Sequence, residues 1–178
     1  MNSVRWHVSR RAGKRALPWV LLIARASKHA PLKNEAKGFD GGKKVSGRKR
    51  HIVVDTLGYP MAIDVHSAAP HDSHCAQPVL TGLKEMFPRL VRVLADGGYQ
   101  GAVQTWFYRH TQGCLLTVVK PETGTKGFQV LQWRWIVERS FAWLGNFRRL
   151  SKDYESSTSS AKACIQLAFI KIMGKHIR

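Results

Sequence analysis

The chain has 178 residues, and its 29 lysines and arginines against 11 aspartates and glutamates give a formal net charge of +18 at pH 7. Hydrophobic residues make up 44% of the sequence, which provides for a folded core and excludes wholesale disorder. A charge this large indicates a polyanionic partner, most often a nucleic acid, while three widely spaced cysteines exclude a disulfide framework and favour a reducing cytoplasm.

The N-terminal part of the chain is basic and poor in acids. No aspartate or glutamate precedes Glu35, and residues 33–50 mix glycines with lysines and arginines. This mixture is typical of a mobile basic loop that contacts DNA phosphates, the alternative being a solvated linker. Residues 17–23 predict one strand, and the apolar stretch around it is too short to cross a membrane, so we expect no membrane partner. We therefore expect residues 1–47 to be a basic, partly disordered segment with one strand near 17–24.

Strand-like and helix-like patterns alternate in residues 48–178, which we expect to form the folded domain. β-branched residues around a Gly-Tyr-Pro turn predict a hairpin, and apolar stretches with capping signals predict the other elements. The expected elements are strands at 51–55 and 61–66, a helix at 72–86, a strand at 90–95, a helix at 100–110, a strand at 115–119, a loop at 122–127, and helices at 133–147 and 159–175. This order predicts an α/β fold with a central mixed sheet flanked by helices.

Asp96 stands directly after an apolar strand and before two glycines. Functional side chains often gather at such strand ends in α/β folds, and the glycines allow a sharp turn and the close approach of a ligand. The same pattern also fits an aspartate that only caps the following turn. Position alone leaves both interpretations open.

Glu138 is an acid within an apolar and aromatic helical stretch. Burying such a carboxylate is costly unless it is paired or holds a metal ion. Arg134 lies one helical turn earlier, on the same face, and could pair with it. A catalytic acid and an ordinary helical salt bridge are both consistent with this arrangement.

Three stretches together carry a family resemblance. They read GFDGGKKVSGRKRHIVVDTLGYPMAIDVHSA, VLADGGYQG and RWIVERSFAWLGNFRRLSKDYE. Residues 41–155 resemble the C-terminal catalytic part of bacterial insertion-sequence DDE transposases, whose catalytic domain is RNase H-like. The resemblance implies that Asp96 and Glu138 are the second and third catalytic acids and therefore metal ligands. It also matches Arg134 to a basic residue of the family's helical motif.

The resemblance implies a function in DNA transposition. It predicts Mg²⁺-dependent strand cleavage and transfer with two Mg²⁺ ions. The expected partners are the double-stranded DNA of the transposon ends and a second copy of the chain, with which it would form a homodimer. A cation expected two turns after Glu138 falls near Gly145, so Arg148 or Arg149 would replace it. The residues expected to contact DNA are Lys43, Lys44, Arg48, Lys49, Arg50, Arg134, Arg148 and Arg149.

The sequence departs from the family at the first catalytic aspartate, which should end the first strand. Ala24 or Arg25 occupies that position here, and no acid follows nearby. Most of the N-terminal DNA-binding region of such transposases is also missing, which suggests a truncated or frameshifted product whose first 30 residues come from another reading frame. We expect either a transposase with an incomplete catalytic triad or a catalytically inactive DNA-binding remnant.

Two other classes of protein would each explain part of the sequence. Four possible zinc ligands, His66, His71, His74 and Cys75, lie within ten residues, but their spacing lacks the CxxC and HxxxH patterns of zinc sites. A basic structural RNA-binding protein would explain the charge, whereas an acid embedded in an aromatic helix argues against it. Metal-dependent DNA nicking would distinguish a transposase from these alternatives.

Overall fold

A computed structural model of the chain describes residues 19–28, 35–120 and 133–176. The strands are β1 (Trp19–Lys28), β2 (Gly38–Asp40), β3 (Val45–Val54), β4 (Pro60–Ser67), β5 (Arg92–Ala95) and β6 (Leu115–Val118). The helices are α1 (Ala76–Leu80), α2 (Leu83–Met86), α3 (Ala102–His110), α4 (Arg134–Gly145) and α5 (Thr158–His176), with short 3-10 turns at Gly97–Tyr99 and Arg148–Leu150.

The sheet is mixed and has β1 near its centre. β4, β3, β1, β5 and β6 lie side by side in that order, and β2 pairs with the first residues of β3. β1 runs antiparallel to β3 and parallel to β5, which in turn runs parallel to β6. Three antiparallel strands followed by two parallel ones, with helices on both faces, form an RNase H-like α/β fold.

The two faces of the sheet pack against different helices because neighbouring side chains of a strand point in opposite directions. Val20, Leu22 and Ala24 of β1 lie in one core with α1, α2 and α3. Leu21 and Ile23 face the other core, which contains α4 and α5. Both cores are continuous apolar clusters, so each face of the sheet is covered.

The basic stretch at residues 33–50 differs from its expected loop conformation. Its described part, from residue 35, contains β2 and the first half of β3. β1 lies between β3 and β5, so β1, β2 and the start of β3 belong to the sheet rather than to a separate segment before it. The many lysines and glycines of this stretch favoured the prediction of a loop, although part of it is a strand whose basic side chains are buried. The rest of the expected disordered leader and the expected loop at 122–127 lie outside the described residues.

The other expected elements are present, with one interruption. The helix expected at 72–86 is divided into α1 and α2 at Gly82, whose φ of +75° breaks the helical backbone. The hairpin of β3 and β4, the strands β5 and β6, and the helices α3 to α5 lie close to their predicted positions. Within the part of the chain that the structure describes, no helix is both long and apolar enough to span a membrane.

Candidate active site and nucleic-acid interface

Asp96 ends β5 and caps the turn that follows. Its Oδ1 accepts a hydrogen bond from the backbone N–H of Gly98 at 3.0 Å, which starts the 3-10 turn at Gly97–Tyr99. Asp96 therefore lies at a strand end and caps a turn, and its catalytic role stays a prediction. The buried Tyr99 ring completes this turn, and the hydroxyl of Tyr99 has no hydrogen-bond partner.

Ile23 is the β1 residue that lies beside Asp96 on the α4 face. The parallel register pairs Leu22 with Ala95, so Ile23 and Asp96 are the next residues along the two strands. Both line a cavity of about 40 Å³, together with Arg134 and other residues of β1, β5 and α4. The β1 position that faces the second expected acid is therefore aliphatic.

Ala24 and Arg25, the two positions that the resemblance gives for the missing aspartate, do not lie beside Asp96 in this way. Ala24 is buried in the opposite core, on the α1–α3 face of the sheet. Arg25 is on the α4 face but lies two residues beyond Ile23, with its guanidinium over the ring of Phe141. Consecutive side chains of a strand point to opposite faces, so Ile23 and Ala24 cannot both face α4.

Glu138 lies on α4 and is held by Arg134. The Nε of Arg134 donates to Oε1 of Glu138 at 3.0 Å, and the side chain of Glu138 is 60% exposed. Arg134 also lines the cavity beside Asp96, so one arginine lies next to both expected acids. The helix α4, which carries Arg134 and Glu138, is fixed to the β3–β4 turn, where the hydroxyl of Ser140 donates to the carbonyl of Gly58 at 2.8 Å.

Asp72 is an acid near Asp96 that the sequence interpretation assigned only to a helix cap. A methyl group placed on Gly98 would lie 3.2 Å from Oδ1 of Asp96 and 3.3 Å from Oδ2 of Asp72, so the two carboxylates flank this glycine. Burial, and then the charges of Asp72 and Asp96, raise the pKa of Tyr99 well above its usual value. No periodicity in the sequence indicated that Asp72 lies close to Asp96, because this contact depends on the path of the chain between β4 and β5.

Asp72 also belongs to a buried ion cluster. The Nζ of Lys49 lies 2.9 Å from Oδ1 of Asp72 and 3.2 Å from Oδ2 of Asp40. Burial alone would lower the pKa of Lys49, but its bonds to the two aspartates outweigh burial and raise it. Burial alone would raise the pKa of Asp40, but the Lys43 backbone N–H and Lys49 lower it. The cluster therefore stabilises the charged forms and anchors the loop after β4 to β3.

The described residues do not fit a two-ion Mg²⁺ site. Residues 19–28, 35–120 and 133–176 contain no group of three histidine, cysteine, aspartate or glutamate side chains that could hold a metal. Two Mg²⁺ ions need several convergent oxygen ligands, whereas the side chain beside Asp96 is Ile23 and the carboxylate of Glu138 is bonded to Arg134. Asp55 accepts the N–H groups of Leu57 and Tyr59 and closes the β3–β4 turn instead.

Three of the expected DNA-binding residues are buried. Arg48 is fully buried, and its guanidinium donates to the carbonyls of Glu35, Ser156 and Ser157. Lys49 lies inside the ion cluster described above, and Arg50 donates to the carbonyl of Leu150 at 2.8 Å. The donors of Arg48 and Lys49 thus serve internal acceptors, whereas Arg50 keeps one unpaired nitrogen, and DNA contacts of these three residues stay a prediction.

The other five expected DNA-binding residues remain on the surface. They are Lys43, Lys44, Arg134, Arg148 and Arg149. Two of them have acidic neighbours besides the Arg134–Glu138 pair. Lys43 lies 3.9 Å from Asp72, and Arg149 donates to Glu155 at 2.6 Å. These surface side chains can contact phosphates, and their DNA contacts stay a prediction.

The four candidate zinc ligands do not converge. His66 lies 2.6 Å from a ring nitrogen of the buried His51, and His71 bonds to the hydroxyl of Ser73. His71 and His74 are exposed, with their rings edge to face. As with the magnesium site, the described residues assemble no set of three ligands here. The histidines therefore have structural partners of their own.

Comparison with known proteins identifies the family. The family model described as a transposase DDE domain matches residues 10–171, which is most of the chain. The chain belongs to the DDE transposase family. A protein of Burkholderia cepacia named "Putative transposase for insertion sequence element IS402" is 30% identical over 139 residues, covering 71% of this chain and 60% of that relative. The match thus spans about three fifths of the length of the curated relative.

Family membership agrees with the fold and raises the question of whether the residues near Asp96 can hold a metal ion. DDE transposase domains typically use a divalent metal ion. The assignment of Asp96 at the β5 end and Glu138 on α4 as catalytic acids stays a prediction, and the β1 residue beside Asp96 is Ile23. The family fold is therefore retained, and the β1 side chain beside Asp96 is aliphatic.

Proposed function

We propose that this chain is a DNA-binding member of the transposase family that does not cleave DNA. The observation that carries the proposal is the contact of Ile23 with the cavity at Asp96, where a third carboxylate is needed to complete a two-ion site. The net charge of +18 and the exposed lysines and arginines support binding to the phosphate backbone. The likeness to a protein named for an insertion element supports a role at such an element.

The residues at the site have electrostatic and structural roles in this proposal. Arg134 pairs with Glu138 and lies at the surface beside the Asp96 cavity, where a DNA strand would approach. Asp96 caps its turn and fixes the loop that carries Tyr99. Exposed cations release condensed counterions when they contact phosphates, which makes the affinity strongly dependent on salt.

Fluorescence anisotropy with labelled duplex DNA tests the binding part of the proposal. If about six to ten phosphates are contacted, the affinity should fall by about 10³–10⁵ between 50 and 200 mM salt, with little dependence on DNA sequence. Asp96→Asn serves as a control that should bind DNA at least as well as the parent. Binding that is absent, or that does not change with salt, would contradict the proposal.

A nicking assay on pre-cut and intact duplexes, with Mg²⁺ or Mn²⁺, tests the absence of cleavage. We expect no product above that of a metal-free control, and the same result for Asp96→Asn. Cleavage by the parent that disappears in Asp96→Asn would show that the chain is an active nuclease. Light scattering on the same samples measures whether a homodimer forms, which stays a prediction of the resemblance.

Cleavage that depends on Asp72 is the second candidate function. It is favoured by the position of the Asp72 carboxylate, which flanks Gly98 opposite Asp96. In that case, nicking should require both aspartates, and Asp72→Asn and Asp96→Asn should abolish it equally. Glu85→Gln, an exposed acid on α2, provides a matched control that should retain full activity.

A further inference from the structure

A second cavity lies on the α4 face of the sheet, farther along β1 than Asp96. Its volume is about 170 Å³, and it lies between the second half of β1, the C-terminal end of α4 and the turn at Arg148–Leu150. The residues that line it include Arg25, Ser27, Arg50 and Phe141, together with Gly145 and Ser151. Its lining residues thus include two arginines, two serines and a phenylalanine.

The two arginines are directly opposite each other in the sheet. The antiparallel register of β1 and β3 pairs Arg25 with Arg50, and both side chains are on the α4 face. Like charges placed directly opposite are destabilising. An anion between them would convert this repulsion into two attractive contacts. The carbon of the Arg25 guanidinium lies 5.5 Å from the centroid of the Phe141 ring, a cation–π distance that holds the arginine at the cavity.

Arg50 contributes a charge from inside the protein. It is only 6% exposed, and its two terminal nitrogens donate to the carbonyls of Leu150 and Lys152. Its Nε has no hydrogen-bond partner. Burial lowers the pKa of Arg50, and the charge of Asp153 opposes this effect without cancelling it. A buried guanidinium with an unused donor therefore lies at the wall of the cavity.

We propose that this cavity binds one phosphate group of a DNA backbone, between the guanidinium groups of Arg25 and Arg50. Guanidinium groups bind phosphate through two parallel hydrogen bonds, and the hydroxyl of Ser27 adds a further donor on the same face of β1. The volume is several times the about 30 Å³ that one water occupies, so a tetrahedral phosphate fits. The choice of DNA as the source of the phosphate rests on the proposed function.

The position of the cavity favours a backbone phosphate over a free anion. α4 carries the exposed Arg134 at one end and Gly145, at the cavity, at the other. The helix rises roughly 17 Å between them, which matches about five nucleotides at 3.4 Å along a DNA helix axis. Arg148 and Arg149 are exposed in the turn that borders the cavity. A strand lying along α4 would therefore contact cations at both ends.

Thermal unfolding in phosphate, compared with chloride at equal ionic strength, tests the pocket directly. Inorganic phosphate should raise the melting temperature of the parent protein. In Arg25→Gln, the apparent phosphate affinity should fall about tenfold or more, because a charge-assisted contact is lost. Arg109→Gln removes the same charge from the exposed side of α3, on the opposite face, and should respond like the parent. An equal response in Arg25→Gln and the parent would overturn the pocket.

Gly145→Asp provides an independent variant that leaves both arginines in place. A Cβ on Gly145 would meet no atom within 4 Å, so the added side chain has room. Its carboxylate would repel an anion from the cavity, and the phosphate response should fall as it does in Arg25→Gln. Gly145→Asn has nearly the same shape without the charge and should keep most of the response. A full phosphate response in Gly145→Asp would contradict the proposal.

DNA binding by the same variants identifies the source of the phosphate. The slope of log affinity against log salt should decrease by about 0.9 in Arg25→Gln, which corresponds to one phosphate contact, and remain at the parental value in Arg109→Gln. Equal slopes in the two variants would refute a DNA phosphate at this pocket. If the parent binds inorganic phosphate through Arg25 but binds no DNA, the proposed DNA-binding function fails and the phosphate pocket stands.

Discussion

Ile23 and Asp96 lie side by side at the ends of two parallel strands. Leu22 pairs with Ala95, and the next residue on each strand lines the same cavity of about 40 Å³. Ile23 thus takes a place that a metal-binding carboxylate could share with Asp96. Its aliphatic side chain packs against the α4 core and contributes to the fold instead.

Replacing this isoleucine by an acid should create metal affinity. Ile23→Asp places a carboxylate beside Asp96, and we expect it to bind Mn²⁺ at least about tenfold more tightly than the parent, because two oxygen ligands replace one. Isothermal titration calorimetry measures this directly. The variant should lose some stability, since an apolar contact with the α4 core is removed.

Ala24→Asp is the matched control, one residue away. Its carboxylate would enter the core formed with α1 and α3, so it should destabilise the fold by several kcal/mol and gain no metal affinity. If Ala24→Asp gained Mn²⁺ affinity and Ile23→Asp did not, our assignment of the strand faces would be incorrect.

Arg48 should be needed for stability rather than for direct contact with DNA. Its buried guanidinium satisfies carbonyls from two distant segments, so Arg48→Met should lower the free energy of unfolding by about 3–5 kcal/mol in urea. Lys44→Met, at an exposed position, should change stability by less than about 0.5 kcal/mol but reduce the salt slope of DNA binding by about 0.9. The reverse pattern would place Arg48 at the DNA interface.

His51 should make the protein less stable below neutral pH. Burial, and then the neighbouring His66, lower its pKa from 6.5 to about 3. Below pH 6.5 the unfolded chain therefore takes up a proton here that the folded protein does not accept until about pH 3. Stability is complete above pH 6.5 and should fall by about 1.4 kcal/mol per pH unit within this window.

Urea unfolding of His51→Gln between pH 7 and 5 isolates this contribution. We expect a weaker dependence of stability on pH in this variant than in the parent, whatever the change in absolute stability. His74→Gln, at an exposed position, should preserve the parental pH dependence. Identical profiles for His51→Gln and the parent would show that His51 is not a buried neutral histidine.

Gly58 fixes α4 to the sheet and should not accept a side chain. Its φ is +85°, and a Cβ would lie 2.8 Å from the hydroxyl of Ser140 on α4. Gly58→Ala should therefore destabilise the protein by about 1–3 kcal/mol, combining backbone strain with a steric clash. Gly82 has a similar φ of +75° and no atom near an added Cβ, so Gly82→Ala should lose only the stability that backbone strain costs. Equal losses in the two variants would argue against the contact with α4.

The alternating fold could be predicted because its elements follow local patterns. The β3–β4 hairpin has β-branched strands around a Gly-Tyr-Pro turn, and Asp96 follows an apolar strand. The first half of β3 was missed because burial of Arg48, Lys49 and Arg50 depends on carbonyls and carboxylates from distant parts of the chain. Composition alone assigns such residues to the solvent.

The candidate site could be predicted only in part for a related reason. The family motifs indicated Asp96, Glu138 and Arg134, and the Arg134–Glu138 pair follows from helical spacing. The alignment of Ile23 with Asp96 depends on the register of two strands that are distant in sequence. The approach of Asp72 depends on a loop conformation. Neither relationship leaves a periodic pattern in the sequence.

The two halves of β1 differ in their tendency to aggregate while the chain is being synthesised. β5 covers only residues 19–22, an uncharged apolar stretch that emerges from the ribosome long before its partner. An unpaired apolar strand edge is a template for aggregation, so this half of β1 is open to association with other chains until β5 pairs with it. The second half carries Arg25 and Lys28, whose charges oppose association with other nascent chains. Replacing these two cations by apolar residues would therefore reduce the soluble yield even where the finished fold tolerates the change.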